Sequence, residues 1–229
     1  MIERPYVLLS CATTLDGYLD DATGARLLLS NDADFDRVDA VRAGCDAILV
    51  GANTIRCDDP RLLVRAAARR AARVARGLPE SPVKVTLTAR GDLDPAAAFF
   101  TTGTGAKLVF CASPAVGRTT DRLGGCATVL DAGDPLDLAR VLVDLAGRGV
   151  RRLMVEGGGS THTRFLTAGY ADELHLVIAP LFVGDPAAPR FVGAGTFPWD
   201  RDHRASLAEV SQLGDVALLR YALSDRFAG

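Results

Sequence analysis

The chain has 229 residues, of which 48% are hydrophobic and 24% charged, so it carries enough apolar material for a full core and excludes a disordered or fibrous class. A net charge of −2 and a pI near 5.9 leave no overall positive field for nucleic acid or an anionic membrane, which makes a small molecule the expected partner. No apolar run approaches the roughly 20 residues of a membrane span and MIERPY lacks the regions of a signal peptide, so the expected location is cytoplasmic.

Short Val/Leu/Ile-rich runs alternate with helical segments along the whole length, the pattern of an α/β fold with a largely parallel sheet. The first strand, Tyr6–Thr13, ends in the TTLDG turn of Thr13–Gly17. A helix follows over Asp32–Ala43, capped by Ser30 or Asn31, with Phe35, Val38 and Val41 forming a stripe able to pack on a sheet. After the strand Ala47–Val50 comes a loop, Gly51–Arg65 (GANTIRCDDPRLLVR), in which Asp58–Asp59–Pro60 reads as a turn and Thr54 as a capping hydroxyl. The Ala/Arg run around Ala66–Arg76 predicts a surface helix, with Arg69, Arg73 and Arg76 on one solvated face and Ala68, Ala72 and Ala75 on another. Without aromatic or base-reading neighbours this run does not make a nucleic-acid arm.

Strands are then expected at Val83–Thr88, Lys107–Cys111 and Ala127–Leu130, with a surface loop over Pro114–Gly125, and a helix at Leu136–Gly147. The strand Arg152–Val155, the helix Thr161–Ala168, the strand Glu173–Ala179 and a Gly/Pro-rich loop over Gly184–Asp202 lead to the last two strands. These, Ala208–Leu213 and Val216–Ala222, flank the hairpin turn Gly214–Asp215, so the sheet gains an antiparallel edge at its C-terminal end. The five cysteines, at 11, 45, 57, 111 and 126, form no CxxC pair and have no neighbouring histidine to complete a zinc set. No metal is therefore expected, and most of them read as small buried hydrophobes in a reducing compartment.

The segment LMVEGGGSTHTR, Leu153–Arg164, carries the strongest chemical signal. A strand delivers Glu156 to a turn of Gly157, Gly158 and Gly159, and Ser160 and Thr161 are positioned to cap the next helix, whose N-terminus favours an anion such as a dinucleotide pyrophosphate. The spacing is not GxGxxG, because position 162 is His, and the acidic pair Asp172–Glu173 comes too early for a ribose-binding acid. Together with Thr13–Gly17 and Gly51–Arg65, this turn gives three loops at strand ends, where open α/β sheets bind ligands. An arginine of the Ala/Arg run is a candidate for a 2′-phosphate.

Further matches run nearly the length of the chain: Pro5–Tyr6–Val7, Thr14–Gly17, Arg37–Val38, Arg42–Ala43, Asp46–Gly51, Thr54, Asp58–Leu62 (DDPRL), Arg65, Val155–Ser160 (VEGGGS), Ala171–Leu174 and Ile178–Pro180. On these residues the sequence resembles the pyrimidine reductase of riboflavin biosynthesis, a family related in fold to dihydrofolate reductase. The resemblance implies a dihydrofolate-reductase-like α/β fold: a mixed, mostly parallel sheet flanked by helices, with a C-terminal antiparallel hairpin, in one domain spanning residues 1–229. It also implies NADPH as cofactor, a phosphorylated ribosylaminopyrimidine whose ribosyl group is reduced to ribityl, and a homodimer. With no HxE and no PCxxC, the chain resembles the stand-alone form rather than the one fused to a zinc deaminase.

Residue by residue, the resemblance implies Asp58 as the group that anchors and protonates substrate, against a turn-capping role, and Glu156 as a partner of substrate hydroxyls or of the pyrimidine edge. Arg42, Arg61 and Arg65 are the candidates for the substrate phosphate, since guanidinium forks match it bidentately. Arg42 alternatively pairs with Asp39 three residues back. Arg26 and Leu62 fall on the substrate side; Ala12, Thr13, Asp16, Thr54, Gly157, Gly158, Gly159, Ser160 and Thr161 fall on the cofactor side. His162 either touches a phosphate or is a polar helix residue, and His175 and His203 have no partner legible in sequence. Asp39 stands where the family often has His, and Thr88–Ala89 where its third strand ends in Asp-Ser. A paralogous reductase of another pyrimidine or pterin, for example in a secondary-metabolite pathway, therefore stays open, as does a non-catalytic nucleotide-binding or methyl-transfer protein.

Overall fold

A computed structural model describes residues 3–24 and 27–227. The chain divides into two compact units, one of Met1–Pro5 with Asp39–Met154 and one of Tyr6–Val38 with Val155–Gly229. Two elements run across the division: the helix α1 (Asp32–Ala43) and a strand at Arg152–Gly157.

In the second unit, β1 (Tyr6–Thr14) pairs in parallel with the strand Glu173–Ala179. The first unit holds β2 (Ala47–Gly51), α2 (Ala52–Asp58), α3 (Ala67–Ala75), β3 (Val83–Thr88), α4 (Ala98–Thr101), β4 (Lys107–Cys111), α5 (Val116–Leu123), β5 (Thr128–Asp131) and α6 (Leu138–Gly147). Its strands are all parallel, in the order β5-β4-β3-β2. Every residue of β2 is buried, which is why AILVG is a continuous apolar run rather than an alternating one. On α6, Leu138, Val141, Leu142 and Leu145 recur at helical spacing and are buried, and Asp137 caps the helix by accepting from the Ala139 amide at 2.8 Å. Lys84, in the middle of β3, is buried; its Nζ donates to the carbonyls of Phe99 (2.9 Å) and Thr102 (2.8 Å), and burial pushes its pKa down to about 8.

With β6 (Arg152–Gly157), α7 (Gly159–Thr167), β7 (Glu173–Ala179), β8 (Ser206–Leu213) and β9 (Val216–Ala222) the set is complete. The second unit orders its strands β1-β7-β9-β8, and both pairs involving β9 are antiparallel. The turn between β8 and β9 needs Gly214, whose φ is +63°. The expected mixed, mostly parallel arrangement with an antiparallel C-terminal hairpin is therefore present. Leu29, Val177, Ala179, Val216 and Leu218 form an apolar cluster, and beside it lies a polar one. There Glu173 accepts from His175 (2.7 Å), Arg220 (2.7 Å) and Tyr6 (3.0 Å). Burial alone would raise the Glu173 pKa, but these partners hold it down to about 2. His175 thus has partners that its apolar strand did not reveal, among them Arg37 at 3.1 Å.

Several expectations require correction. Residues 52–58 are helical rather than loop, and Pro114–Gly125 contains α5, preceded by a 3₁₀ turn at Ser113–Ala115, rather than an irregular surface loop. Arg73 is not on a solvated face. It is 2% exposed and donates to the carbonyls of Pro79 (2.8 Å), Ala43 (2.9 Å) and Cys45 (2.8 Å), tying α3 to the end of α1. Of the cysteines only Cys45 and Cys111 are buried; Cys11 and Cys126 are half-buried and Cys57 is exposed. The α1 cap is as expected: of its two candidates Asn31 serves, accepting from the Asp34 amide at 3.0 Å.

Candidate active site

In the first unit, the candidate residues lie on α2 and the segment after it. Thr54 is half-buried on α2 and Asp58 is exposed as its last residue. Of the Asp58–Asp59 pair it is Asp59 that shapes the turn. Its φ of +41° ends the helix, its amide donates to the Ile55 carbonyl at 3.2 Å, and its carboxylate accepts from the Ala98 amide at 2.6 Å. Leu62 also has a positive φ, +47°, and its side chain is 3% exposed, so it pins the segment into the core. Arg61 and Arg65, on either side of Leu62–Val64, are both exposed. Arg42 reaches this segment, donating to the Leu63 carbonyl at 3.2 Å.

Asp39 organises the next turn. Its buried carboxylate accepts from the amides of Arg65 and Ala66 (3.1 Å for Ala66) and from the Arg69 guanidinium at 3.0 Å. Burial works to raise its pKa, yet these donors hold it below the usual carboxylate range. The alternative pairing of Asp39 with Arg42 gives way to this bond to a helix 30 residues on.

In the second unit, β1 ends in the buried Thr13 and Thr14, beside the half-buried Ala12. The hydroxyl of Thr14 donates to Asp16 at 2.5 Å, and Asp16 also accepts from the amides of Val183 (3.2 Å) and Gly184 (2.8 Å). The Thr14 bond, then these amides, lower its pKa and commit its carboxylate to holding the turn. Arg190 lies over the Tyr18 ring at 4.3 Å and donates to its hydroxyl at 2.7 Å, while the Phe191 amide donates to Gly17 at 3.1 Å.

This same 190–191 strap meets the glycine turn. A Cβ on Gly159 would lie 2.2 Å from the Arg190 carbonyl, so that glycine is required by a close backbone approach from within the protein. Gly157 is required by its φ of +137°. The helix α7 starts two residues earlier than expected: Gly158 is its N-cap and makes no side-chain cap, so Ser160 and Thr161 sit inside the first turn rather than capping it. Glu156 is half-buried at the end of β6. His162 is fully buried against Phe191, ring to ring at 5.5 Å, and neither ring nitrogen has a partner among the described residues. Burial pushes its pKa down to about 4, so the imidazole is neutral.

Thus the first unit carries Thr54 and Asp58 on α2 and Arg61, Leu62 and Arg65 on the segment after it, which Arg42 reaches at the Leu63 carbonyl, and in the second unit the 190–191 strap lies against both the Asp16–Gly17 turn and Gly159. Arg26 lies outside the described residues. Sequence reasoning missed the roles of Asp39 and Arg190, because their partners lie far away in the chain: the amides of Arg65 and Ala66 for Asp39, and Tyr18 for Arg190.

The RibD C-terminal domain model matches residues 5–219. The 2,5-diamino-6-ribosylamino-4(3H)-pyrimidinone 5′-phosphate reductase of Methanothermobacter thermautotrophicus is 33% identical over 221 residues, covering 96% of this chain and 99% of its own. Among solved structures, RibD from Acinetobacter baumannii matches with a TM-score of 0.77 and 25% identity over 96% of this chain, which spans 58% of that one. Dihydrofolate reductase from Enterococcus faecalis, in complex with NADP(H), matches in fold at a TM-score of 0.50 and 11% identity, covering 97% of this chain and 98% of its own. Among the described residues no helix is long and apolar enough to cross a membrane. The chain belongs to the RibD C-terminal domain family of reductases, with the dihydrofolate-reductase-like fold that its sequence predicts.

Proposed function

We propose that this chain is the NADPH-dependent reductase of a phosphorylated ribosylaminopyrimidine in riboflavin biosynthesis, acting on 2,5-diamino-6-ribosylamino-4(3H)-pyrimidinone 5′-phosphate. The carrying observation is that a reductase named for this substrate matches over almost the full length of both chains. A nicotinamide dinucleotide suits the residues present. No side chain caps α7, so the Gly159 and Ser160 amides at its start are directed to an anion, and Gly157 keeps the approach open. On this reading Thr54, Thr13 and Gly157–Thr161 hold the cofactor, and Asp16 acts by fixing the turn after Thr13.

When bound, the cofactor would supply the hydride for reduction of the substrate's open-chain imine at C1′. The chain's own residues position and protonate. Asp58 anchors the pyrimidine and provides the proton taken up by the nitrogen as the C=N electron pair moves onto it. Glu156 accepts hydrogen bonds from substrate hydroxyls. Arg61 and Arg65 hold the 5′-phosphate, Asp39 fixes the backbone that presents Arg65, and Arg42 holds that of Leu63 between them. We further propose that residues 1–229 work as one reductase domain in the cytoplasm. A homodimer is supported by the exposed apolar Leu207 and Val210 on β8.

The test is NADPH consumption with the 2,5-diamino substrate, its deaminated counterpart and dihydrofolate. The proposal predicts the highest kcat/KM for the diamino compound; turnover of dihydrofolate alone would refute it.

A further inference from the structure

Lys84 is a cation in the core of the first unit with no role in the reaction described above. Along VKVTLT the period of a strand puts Lys84 on the face of Thr86 and Thr88, opposite Val85 and Leu87, and its side chain is 1% exposed. Among the described residues no carboxylate pairs with it. Its ammonium donates instead to the Phe99 carbonyl (2.9 Å), the Thr102 carbonyl (2.8 Å) and the Thr102 hydroxyl (3.4 Å), and lies 5.7 Å from the centre of the Phe99 ring. A buried ammonium costs stability unless such partners compensate it, and methionine would fill similar space without that cost, so packing alone does not account for a lysine here.

All of these partners belong to α4 or to Thr102, which ends it. A helix of four residues cannot hold itself in place, and its ends leave amides and carbonyls for other groups to satisfy. Lys84 takes carbonyls at the C-terminal end. At the N-terminal end the Ala98 amide donates to the carboxylate of Asp59, the residue directly after Asp58. Just beyond the C-terminal end, a side chain at Gly103 would lie 2.7 Å from Leu63 Cδ2, so the chain leaving α4 is seated on Leu63. The helix region thus touches the segment 58–65 at two points, Asp59 and Leu63, one on each side of Arg61, and Lys84 fastens it to β3.

We propose that Lys84 is a positioning residue for the reduction: by fastening α4 to β3 it holds the turn that presents Asp58 and the backbone that carries Arg61. Its part in the reaction rests on the reductase reading above, and Lys84 itself touches neither substrate nor cofactor. Without the ammonium, the Phe99 and Thr102 carbonyls lose their shared donor, α4 is released at its C-terminal end, and Asp59 and Leu63 move with it. A displacement of about 1 Å at a reacting group costs up to about a hundredfold in rate, so a contact this far from the chemistry is read out in turnover.

The experiment compares Lys84→Met, Asp59→Gly and the double variant with the wild type; glycine at 59 removes the carboxylate and keeps the left-handed turn. Steady-state kinetics on the phosphorylated pyrimidine are paired with amide hydrogen exchange of the unliganded protein. We expect Lys84→Met to lower kcat/KM for the pyrimidine roughly ten- to hundredfold with KM for NADPH unchanged, and the double variant to be no worse than the worse single one, because both residues act through α4. The Ala98 and Asp59 amides should exchange faster in Lys84→Met, while those of Val85 and Val109 in the sheet do not change. Losses that multiply in the double variant, or wild-type exchange at Ala98 and Asp59, would overturn the proposal. If Lys84→Met does not fold, Thr102→Val decides: it removes one Lys84 acceptor and leaves the core filled, and it should show the same changes at smaller size, whereas wild-type behaviour would overturn the proposal. Wild-type protein that reduces no pyrimidine, with the expected exchange pattern in Lys84→Met, would refute the proposed reaction and uphold the hold of Lys84 on the segment.

Discussion

Replacing Asp39 with alanine tests how the segment proposed to bind the substrate phosphate is held. The substitution removes one carboxylate that accepts the Arg65 and Ala66 amides and the Arg69 guanidinium. A hydrogen bond to a charged partner is worth about 1.5–3 kcal/mol. Three bonds share one carboxylate here, and Arg69 is 27% exposed and recovers hydration, so the contributions do not add. We expect a loss of about 3 kcal/mol, which in a chain of this length lowers Tm by roughly 6–12 °C. Asp39→Asn retains one acceptor oxygen and should lose about half as much. The second readout is KM for the phosphorylated substrate, which should rise roughly tenfold in Asp39→Ala as Arg65 loses its backbone anchor. The assay is thermal unfolding at neutral pH with steady-state kinetics on the same preparations. An Asp39→Ala protein with wild-type Tm and wild-type KM would refute the anchoring role.

Three further outcomes are expected. Asp58→Asn should lower kcat by about 10²–10⁴-fold with little change in NADPH affinity; near-normal turnover would return Asp58 to a helix-end role. Arg65→Ala, and less so Arg61→Ala, should raise KM for the phosphorylated substrate far more than for its dephosphorylated analogue, and equal changes on both would make the arginines structural. His162 resists protonation when folded, with a pKa of about 4 against an ordinary 6.5, so its stabilising contribution is complete above pH 6.5 and about 3 kcal/mol of it is lost as pH falls toward 4. Glu173, held near 2 against an ordinary 4.5, adds a second loss between about pH 4.5 and 2. His162→Leu should therefore flatten Tm against pH above 4.5, leaving the slope of His175, whose pKa burial also lowers. A pH profile identical to wild type would contradict the burial argument.

The strands were legible because strands buried in a sheet are short apolar runs bounded by turn residues, and the bounds of β3, β4 and β7 are those expected from sequence; those of the antiparallel β9 are too, because the Gly214–Asp215 turn marks its start. The short helices were not. The heptapeptide ANTIRCD of α2 buries only Ala52 and Ile55, too few positions to establish a helical period, and Gly117 and the Gly124–Gly125 pair gave α5 the look of a loop. The glycine turn was legible as a site but not in its mechanics, since the demand on Gly159 comes from the Arg190 carbonyl, 31 residues away. Arg73 escaped for the same reason: carbonyls of Ala43 and Cys45, invisible in the local pattern, draw it inward.

The most direct measurement of the central claim is the fate of a deuterium label carried at C4 of NADPH during reduction of the 2,5-diamino-6-ribosylamino-pyrimidinone 5′-phosphate. The account predicts a ribityl product with the label at C1′ and a solvent-derived proton on the adjacent nitrogen. With both C4 positions deuterated, so that either face delivers the label, a label at any ring position of the pyrimidine, or unlabelled product, would contradict it.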